Sequence, residues 1–300
     1  MIYKNLSVAL INSSCEKAYQ SYGDHWRDGF RDAGCKVTVI PYDQIPMIPP
    51  GFDLYFFVEI RYDPSSIPWY ISPRVLYSWD SHVMGINFYA QIANCFDKIL
   101  LASKIDVENA TSQGLKNFVW IPEACNPRIH KNLHQERTIP LGFVGSYNNY
   151  IFRNGKTKDD FTSHLKQGPY KLEQIIDTFG EDYCLVQNKI KVMFDRPIMH
   201  NIGTRIFESS AAGCIPLWSK AGYPTGIEEL LTEGIHYVPY DDTIEGLEKV
   251  LENIYKDEAG MARLTEAAEK HVLANHTYAH RVLSVLDTMK IPYILERKMS

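Results

Sequence analysis

The sequence contains no Cys-x-x-Cys pair, no Gly-x-Gly-x-x-Gly loop and no Gly-x-x-x-x-Gly-Lys-Ser/Thr loop. The first absence removes zinc ribbons and thioredoxin-like redox centres, because both need two thiols within one turn. The other two remove the usual dinucleotide fingerprint and the P-loop. No run of five like charges occurs, and 31 Lys+Arg against 36 Asp+Glu leave a formal charge of -5. A dedicated nucleic-acid binder usually carries a basic surplus, so that balance counts against one. Apolar runs such as Leu54 to Val58 fall far short of the ~20 residues a membrane span needs. The amino-terminal MIYKNLSVALIN reads as a first strand rather than a signal peptide. Six cysteines in or beside apolar stretches are expected to be reduced, buried thiols of a cytoplasmic protein.

What is present is 300 residues at 45% hydrophobic content, enough for two cores. The first half alternates short, nearly continuous apolar runs with helical patterns. Strands are expected at 7–11, 36–40, 53–58, 74–79, 98–101 and 118–121. A helix is expected over His25 to Ala33, capped by Asp24, and another over Lys104 to Gly114. Runs without polar alternation imply a parallel sheet covered on both faces. The pattern restarts at Ile139, after a proline-containing polar stretch. The second half predicts a helix near Tyr170 to Phe179, strands at Tyr183 to Val186, Cys214 to Trp218 and Ile235 to Pro239, and helices from Thr243 and Asp257. A last helix is expected over Tyr278 to Lys290. The expected organisation is a first domain over 1–125, a connection over 126–138, a second domain over 139–275 and a terminal segment 276–300. Both domains are α/β and doubly wound.

In such folds ligands bind beyond the carboxyl ends of the strands, where helix starts present free N–H groups. NIGTRIFESSAAGCIPLW, residues 201 to 218, has the ingredients. Gly203 permits close approach, Thr204 or Asn201 can cap, Arg205 adds a positive charge in the first turn, and Glu208 lies one turn further on the same side. An arginine there suits phosphate and a carboxylate suits ribose hydroxyls; the plainer alternative is an intrahelical ion pair on a solvated face. Gly142-Phe143-Val144-Gly145-Ser146 ends a strand in glycine and a hydroxyl, a second phosphate cradle, with Arg153 downstream.

FVGS with its downstream arginine, RIFESSAAGCIPLW, GIEELLTEGIHYVPY and HTYAHRVLSVL resemble, in that order, the C-terminal half of bacterial spore-maturation CgeB-like proteins, of glycosyltransferase group 1 type. YSWDSH at 77–82 and IPEACNP at 121–127 resemble landmarks of their N-terminal half. The resemblance implies a GT-B fold: two Rossmann-like domains facing a cleft, the C-terminal helix crossing back to the first. It also implies that the second domain binds a nucleotide-diphosphate sugar, expected to be uridine-based, as co-substrate. Glu208 would then hold the ribose, and Arg205, Arg153, Gly145 and Ser146 the diphosphate; Lys189 is a further basic candidate. His200 stands eight positions before Glu208, where many group 1 enzymes carry a glutamate facing the donor sugar, so the resemblance carries over neither sugar identity nor stereochemistry. The chain has no Asp-x-Asp stretch of the kind that holds a metal in the other common glycosyltransferase fold, and no metal or other cofactor is expected.

Sugar transfer also needs an acceptor hydroxyl placed and deprotonated. Two strands of the first domain run into acids, Val58-Glu59 and Trp79-Asp80. Asp80 and His82 are the catalytic candidates; Ser13, Glu59 and Trp79 are expected on the acceptor side. The plainer roles are a helix cap for Asp80, an inert buried ring for His82 and a loop ion pair with Arg61 for Glu59. The acceptor is expected to be a glycan or another hydroxyl compound. Modified DNA, glucosylated at 5-hydroxymethyl bases as by some phage enzymes, is an alternative. A two-lobed binding protein without catalysis is another.

Overall fold

The computed structural model describes residues 6–13, 17–145, 158–197, 199–220 and 224–291. The chain divides into two units, Met1–Glu123 with Thr277–Ser300, and Ala124–His276.

In the first unit, β1 (Ser7–Asn12), α1 (Tyr22–Asp32), β2 (Lys36–Pro41), β3 (Leu54–Val58), β4 (Arg74–Ser78), α2 (Ser81–Met84), α3 (Ile86–Ile92), β5 (Lys98–Leu101), α4 (Lys104–Ser112) and β6 (Phe118–Trp120) follow one another. The sheet is parallel with order β2-β1-β3-β4-β5-β6. Side chains alternate across a strand, and β3 shows what the two faces do. Tyr55 and Phe57 enter one core with Ala9, Ile11, Leu76, Ile99 and Leu101. Phe56 faces the other way, 4.7 Å from the Trp26 ring of α1. Each such side chain stabilises the fold by roughly 1.5–3 kcal/mol, which is why every residue of β3 is apolar and buried. The cap of α1 is Ser21, whose Oγ accepts from Gly23 N–H; Asp24, the expected cap, instead pairs with Arg27 at 2.6 Å inside the first turn. A serine one residue before the helix has the β-region backbone that capping requires.

In the second unit, β7 (Ile139–Val144), α5 (Lys158–Gln167), β8 (Glu173–Ile175), α6 (Gly180–Lys189), β9 (Ile190–Asp195), α7 (Arg205–Ala211), β10 (Ile215–Lys220), β11 (Val238–Asp241), α8 (Ile244–Lys256) and α9 (Glu258–Asn275) build a parallel sheet of order β11-β10-β9-β7-β8. Two expectations fail here. The helix expected at 170–179 lies earlier, at α5, and part of that stretch is β8. The strand expected at 183–186 is part of α6, whose buried residues Gly180, Cys184, Gln187 and Asn188 recur at helical spacing while Leu185 is exposed. A four-residue apolar run cannot by itself separate strand from helix.

The segment 126–138, expected as a connection, lies within this unit. Arg137 donates to the carbonyls of Gln187, Ile190 and Ala212 at 2.7–3.2 Å, placing its charge at the C-terminal ends of α6 and α7. Cations there oppose the helix macrodipole and fill the free carbonyls. A last helix, α10 (Tyr278–Thr288), belongs to the first unit. Its first turn presses on α1 at Gly29, where a Cβ would lie 2.8 Å from the Tyr278 carbonyl carbon. Arg281 anchors it by donating to the carbonyls of Pro122 and Glu123 at 2.8 and 2.9 Å.

Both sheets share one winding. Numbering the strands of the second unit from β7, each sheet contains the order 2-1-3-4-5. The crossover direction therefore reverses between β1 and β3 in one unit and between β7 and β9 in the other. Crevices at such reversal points, beyond the carboxyl ends of the strands, are where doubly wound folds bind ligands.

Candidate functional site

In the second unit, β7 delivers Val144-Gly145 to the reversal point, β9 delivers Asp195, and α7 brings Arg205. The guanidinium of Arg205 is held on three sides. Its Nε donates to the Val144 carbonyl at 3.0 Å, its Nη1 to Asp195 Oδ1 at 2.5 Å, and its central carbon lies 4.5 Å from the Phe143 ring centroid. Burial disfavours its charge most strongly, but Asp195, Tyr183 and Glu208 together outweigh that and the pKa ends above its ordinary value. Its Nη2 lies against Gly145, where a Cβ would come within 2.9 Å. Gly145 also has φ +138°, outside the range side-chain-bearing residues favour. Glycine is thus needed here both for the turn and for the approach of the cation.

One turn along α7, Glu208 is 7% exposed. Its Oε2 accepts from Tyr183 Oη at 2.6 Å, and its Oε1 lies 3.5 Å from His130 Nε2. His130 Nδ1 accepts the Asn126 N–H at 3.0 Å. Burial pushes the His130 pKa down to about 3, so the ring is neutral and carries its proton on Nε2, facing the carboxylate. The Tyr183 hydroxyl therefore orients Glu208 by donating to it, with an uncharged imidazole beside the other oxygen.

Gly203 stands open, with no atom within 4 Å of the point where a Cβ would sit, and Thr204 occupies the N-cap position. The expected side-chain cap is not formed by Thr204, whose helical φ of −57° and ψ of −32° do not suit capping. Lys189 does not join the site. It is exposed and precedes β9, so the whole strand separates it from Asp195. Ser146 and Arg153 lie outside the described residues.

In the first unit, β1 leads to Ser13, β3 to Glu59 and β4 to Trp79-Asp80. Ser13 Oγ is 3.5 Å from the capping hydroxyl of Ser21. Trp79 stacks on Tyr22, ring centroids 4.1 Å apart. Asp80 sits before α2 without capping it by its side chain. Burial raises its pKa, opposed by Arg61 and by a hydrogen bond from Trp79. His82 is buried in α2. Glu59 is 6% exposed and accepts from Ser78 Oγ, Trp79 N–H and Asp80 N–H at 2.8, 2.7 and 3.3 Å. It braces the turn after β4, while Arg61 acts on Asp80.

Sequence reasoning missed Asp195, Tyr183 and His130. Asp195 had a usable signal, since an acid ends an apolar run there just as Glu59 and Asp80 do. Tyr183 and His130 had none, because only the fold brings them to Glu208.

Among the described residues, no group of three or more His, Cys, Asp or Glu side chains is placed to hold a metal, and no helix is long and apolar enough to cross a membrane. Cys35, Cys95, Cys125, Cys184 and Cys214 are free thiols.

Residues 150–287 match a family described as glycosyl transferase-like. No curated protein matches the sequence. Solved structures that resemble the fold include the following three. HepE from Anabaena, in complex with UDP and glucose, is 9% identical, with a TM-score of 0.67 over 95% of this chain and 99% of its own. An alpha-glucosyltransferase in complex with UDP and a 13-mer DNA containing an HMU base is 11% identical, with a TM-score of 0.68 over 95% and 100%. The sucrose-phosphate synthase of Thermosynechococcus elongatus is 10% identical, with a TM-score of 0.63 over 95% and 99%. The fold is the GT-B fold of these structures, and the glycosyl transferase-like match lies over residues 150–287.

Proposed function

We propose that the protein moves a sugar from a uridine diphosphate donor to a hydroxyl acceptor, in the cytoplasm and without a metal. The observation that carries this reading is the pinning of Arg205 at the reversal point against Gly145, with the oriented carboxylate of Glu208 one turn away. When the glycosidic bond to the diphosphate breaks, negative charge grows on the leaving oxygen. A guanidinium already fixed in place stabilises that charge without reorganising. Glu208, with Tyr183 and His130 on its outer sides, accepts hydrogen bonds from the ribose hydroxyls. The acceptor binds the first unit beside the Trp79–Tyr22 pair and the proton of its hydroxyl passes to Asp80, whose raised pKa makes it the stronger base. The UDP-bound neighbours support the donor class, and the ordered landmarks support a CgeB-like subgroup with a glycan acceptor.

The test is UDP release from a panel of UDP-sugars, with and without acceptors. Glu208→Ala is expected to raise the donor KM at least tenfold while the protein stays folded. Unchanged donor kinetics would remove Glu208 from the site, and no release with any donor would sink the transferase reading. Labelled donor with duplex containing 5-hydroxymethyl bases tests the modified-DNA acceptor that one neighbour suggests.

A further inference from the structure

Glu59 occupies a backbone position that suits it poorly. It follows β3 with φ +62°, in the left-handed region disfavoured for any residue with a Cβ. A residue kept there is held by its surroundings. What holds it is a convergence on one oxygen: Oε1 takes the Ser78 hydroxyl and the N–H groups of Trp79 and Asp80. Ser78 Oγ in turn lies 2.6 Å from Tyr89 Oη. With Ser78 donating to the carboxylate, Tyr89 donates to Ser78, and the relay runs Tyr89 to Ser78 to Glu59. The two amides are the first beyond the end of β4, where the sheet no longer supplies partners. The carboxylate takes the place of a neighbouring strand and sets the direction in which the chain leaves. Trp79 then lies on Tyr22, and Asp80 faces Arg61.

We propose that Glu59 is a positioning residue of the acceptor side, its carboxylate fixing the turn that aims the Trp79 ring and the Asp80 carboxylate at the acceptor. This rests on the reading of the chain as a sugar transferase in which Asp80 takes the acceptor proton. An ionised carboxylate offers only acceptors, so it suits three converging donors better than an amide, whose NH2 would face donors. The groups facing Glu59 are Asp80, which resists its ionisation, and the phenols of Tyr62, Tyr77 and Tyr89, all shifted upward and neutral in the working range. Burial lifts its pKa to about 7 against the hydrogen bonds from Ser78 and Trp79. The turn is therefore firmest above pH 7 and loosens as Glu59 takes up a proton below it.

The experiment compares the wild type with Glu59→Gln, which keeps the shape, and Glu59→Gly, which relieves the left-handed backbone while removing the carboxylate. Expected at pH 8 is a kcat for transfer at least tenfold lower in both variants, with UDP affinity within twofold of wild type. The acid limb of the wild-type kcat profile near pH 7 should vanish in Glu59→Gln. Amide hydrogen exchange at Trp79 and Asp80 should quicken at least tenfold in both. Wild-type kcat and limb retained in Glu59→Gln, or unchanged exchange at the two amides, would overturn the proposal. Should the wild type itself transfer no sugar, the transferase reading fails on its own account, and the exchange rates still decide whether Glu59 holds the turn.

Discussion

Replacing Glu59 by glutamine should make the protein more stable in alkali than in acid, relative to wild type. In the fold its carboxyl pKa is raised from 4.5 to about 7, first by burial. A tenfold change in proton affinity is worth about 1.4 kcal/mol, so ionising the buried acid costs the native state about 3 kcal/mol. The sign follows from which state binds the proton more tightly. Below pH 4.5 the acid is neutral in both states and nothing is lost. As pH rises from 4.5 through 7, the unfolded chain gives up its proton first, and stability falls by that amount. Glutamine cannot ionise, so its stability relative to wild type should climb by about 3 kcal/mol between about pH 4.5 and pH 8.5. At roughly 2–4 °C per kcal/mol, this is a relative gain of roughly 6–12 °C in the transition of the first unit. Thermal unfolding of both proteins across that range reads it directly, and the comparison at each pH cancels the titrating groups that do not sense Glu59. Parallel wild-type and variant curves would refute the reasoning. A confirmed gain, beside the expected loss of kcat, would show an acid retained for what it does rather than for what it stabilises.

Two further outcomes test the donor side. Gly145→Ala puts a methyl group 2.9 Å from Arg205 Nη2 at an unfavourable φ; a loss of about 1–3 kcal/mol in stability and at least a tenfold loss in UDP affinity by calorimetry are expected, and wild-type affinity would remove Arg205 from the phosphate. Asp195→Asn removes the charge that balances Arg205; it should lower the melting temperature of the free protein by several degrees and enlarge the upward shift produced by UDP, an unchanged shift counting against the pairing.

Much of the architecture is written in the sequence because strands covered on both faces are apolar at every position. The runs around Leu10, Phe56 and Leu100 admit little else. Arg205 and Glu208 stand out for a related reason, since charges at helical spacing are unusual in an otherwise buried helix, although an intrahelical ion pair is the plainer alternative. The rest depends on distance along the chain. Tyr183 lies 25 residues from Glu208, in a tyrosine-containing apolar run whose periodicity is too short to read. His130 sits in a proline-flanked stretch that looks like a connection, because a segment bonded through Arg137 to two helix ends carries no apolar pattern of its own. Lys189 is close to Arg205 in sequence, yet a strand's length carries it to the far end of the sheet.

The first unit takes its last helix from the far end of the chain, and that order of assembly has a price for synthesis. While the ribosome is still making residues 124–276, the α1 face that receives Tyr278 at Gly29 lacks its cover, with Trp26 behind it. The second unit is one unbroken stretch and can fold as it emerges. The amino-terminal half, although made first, is finished only after the carboxyl-terminal helix has left the exit tunnel, and until then it is the part of the nascent protein most in need of a chaperone.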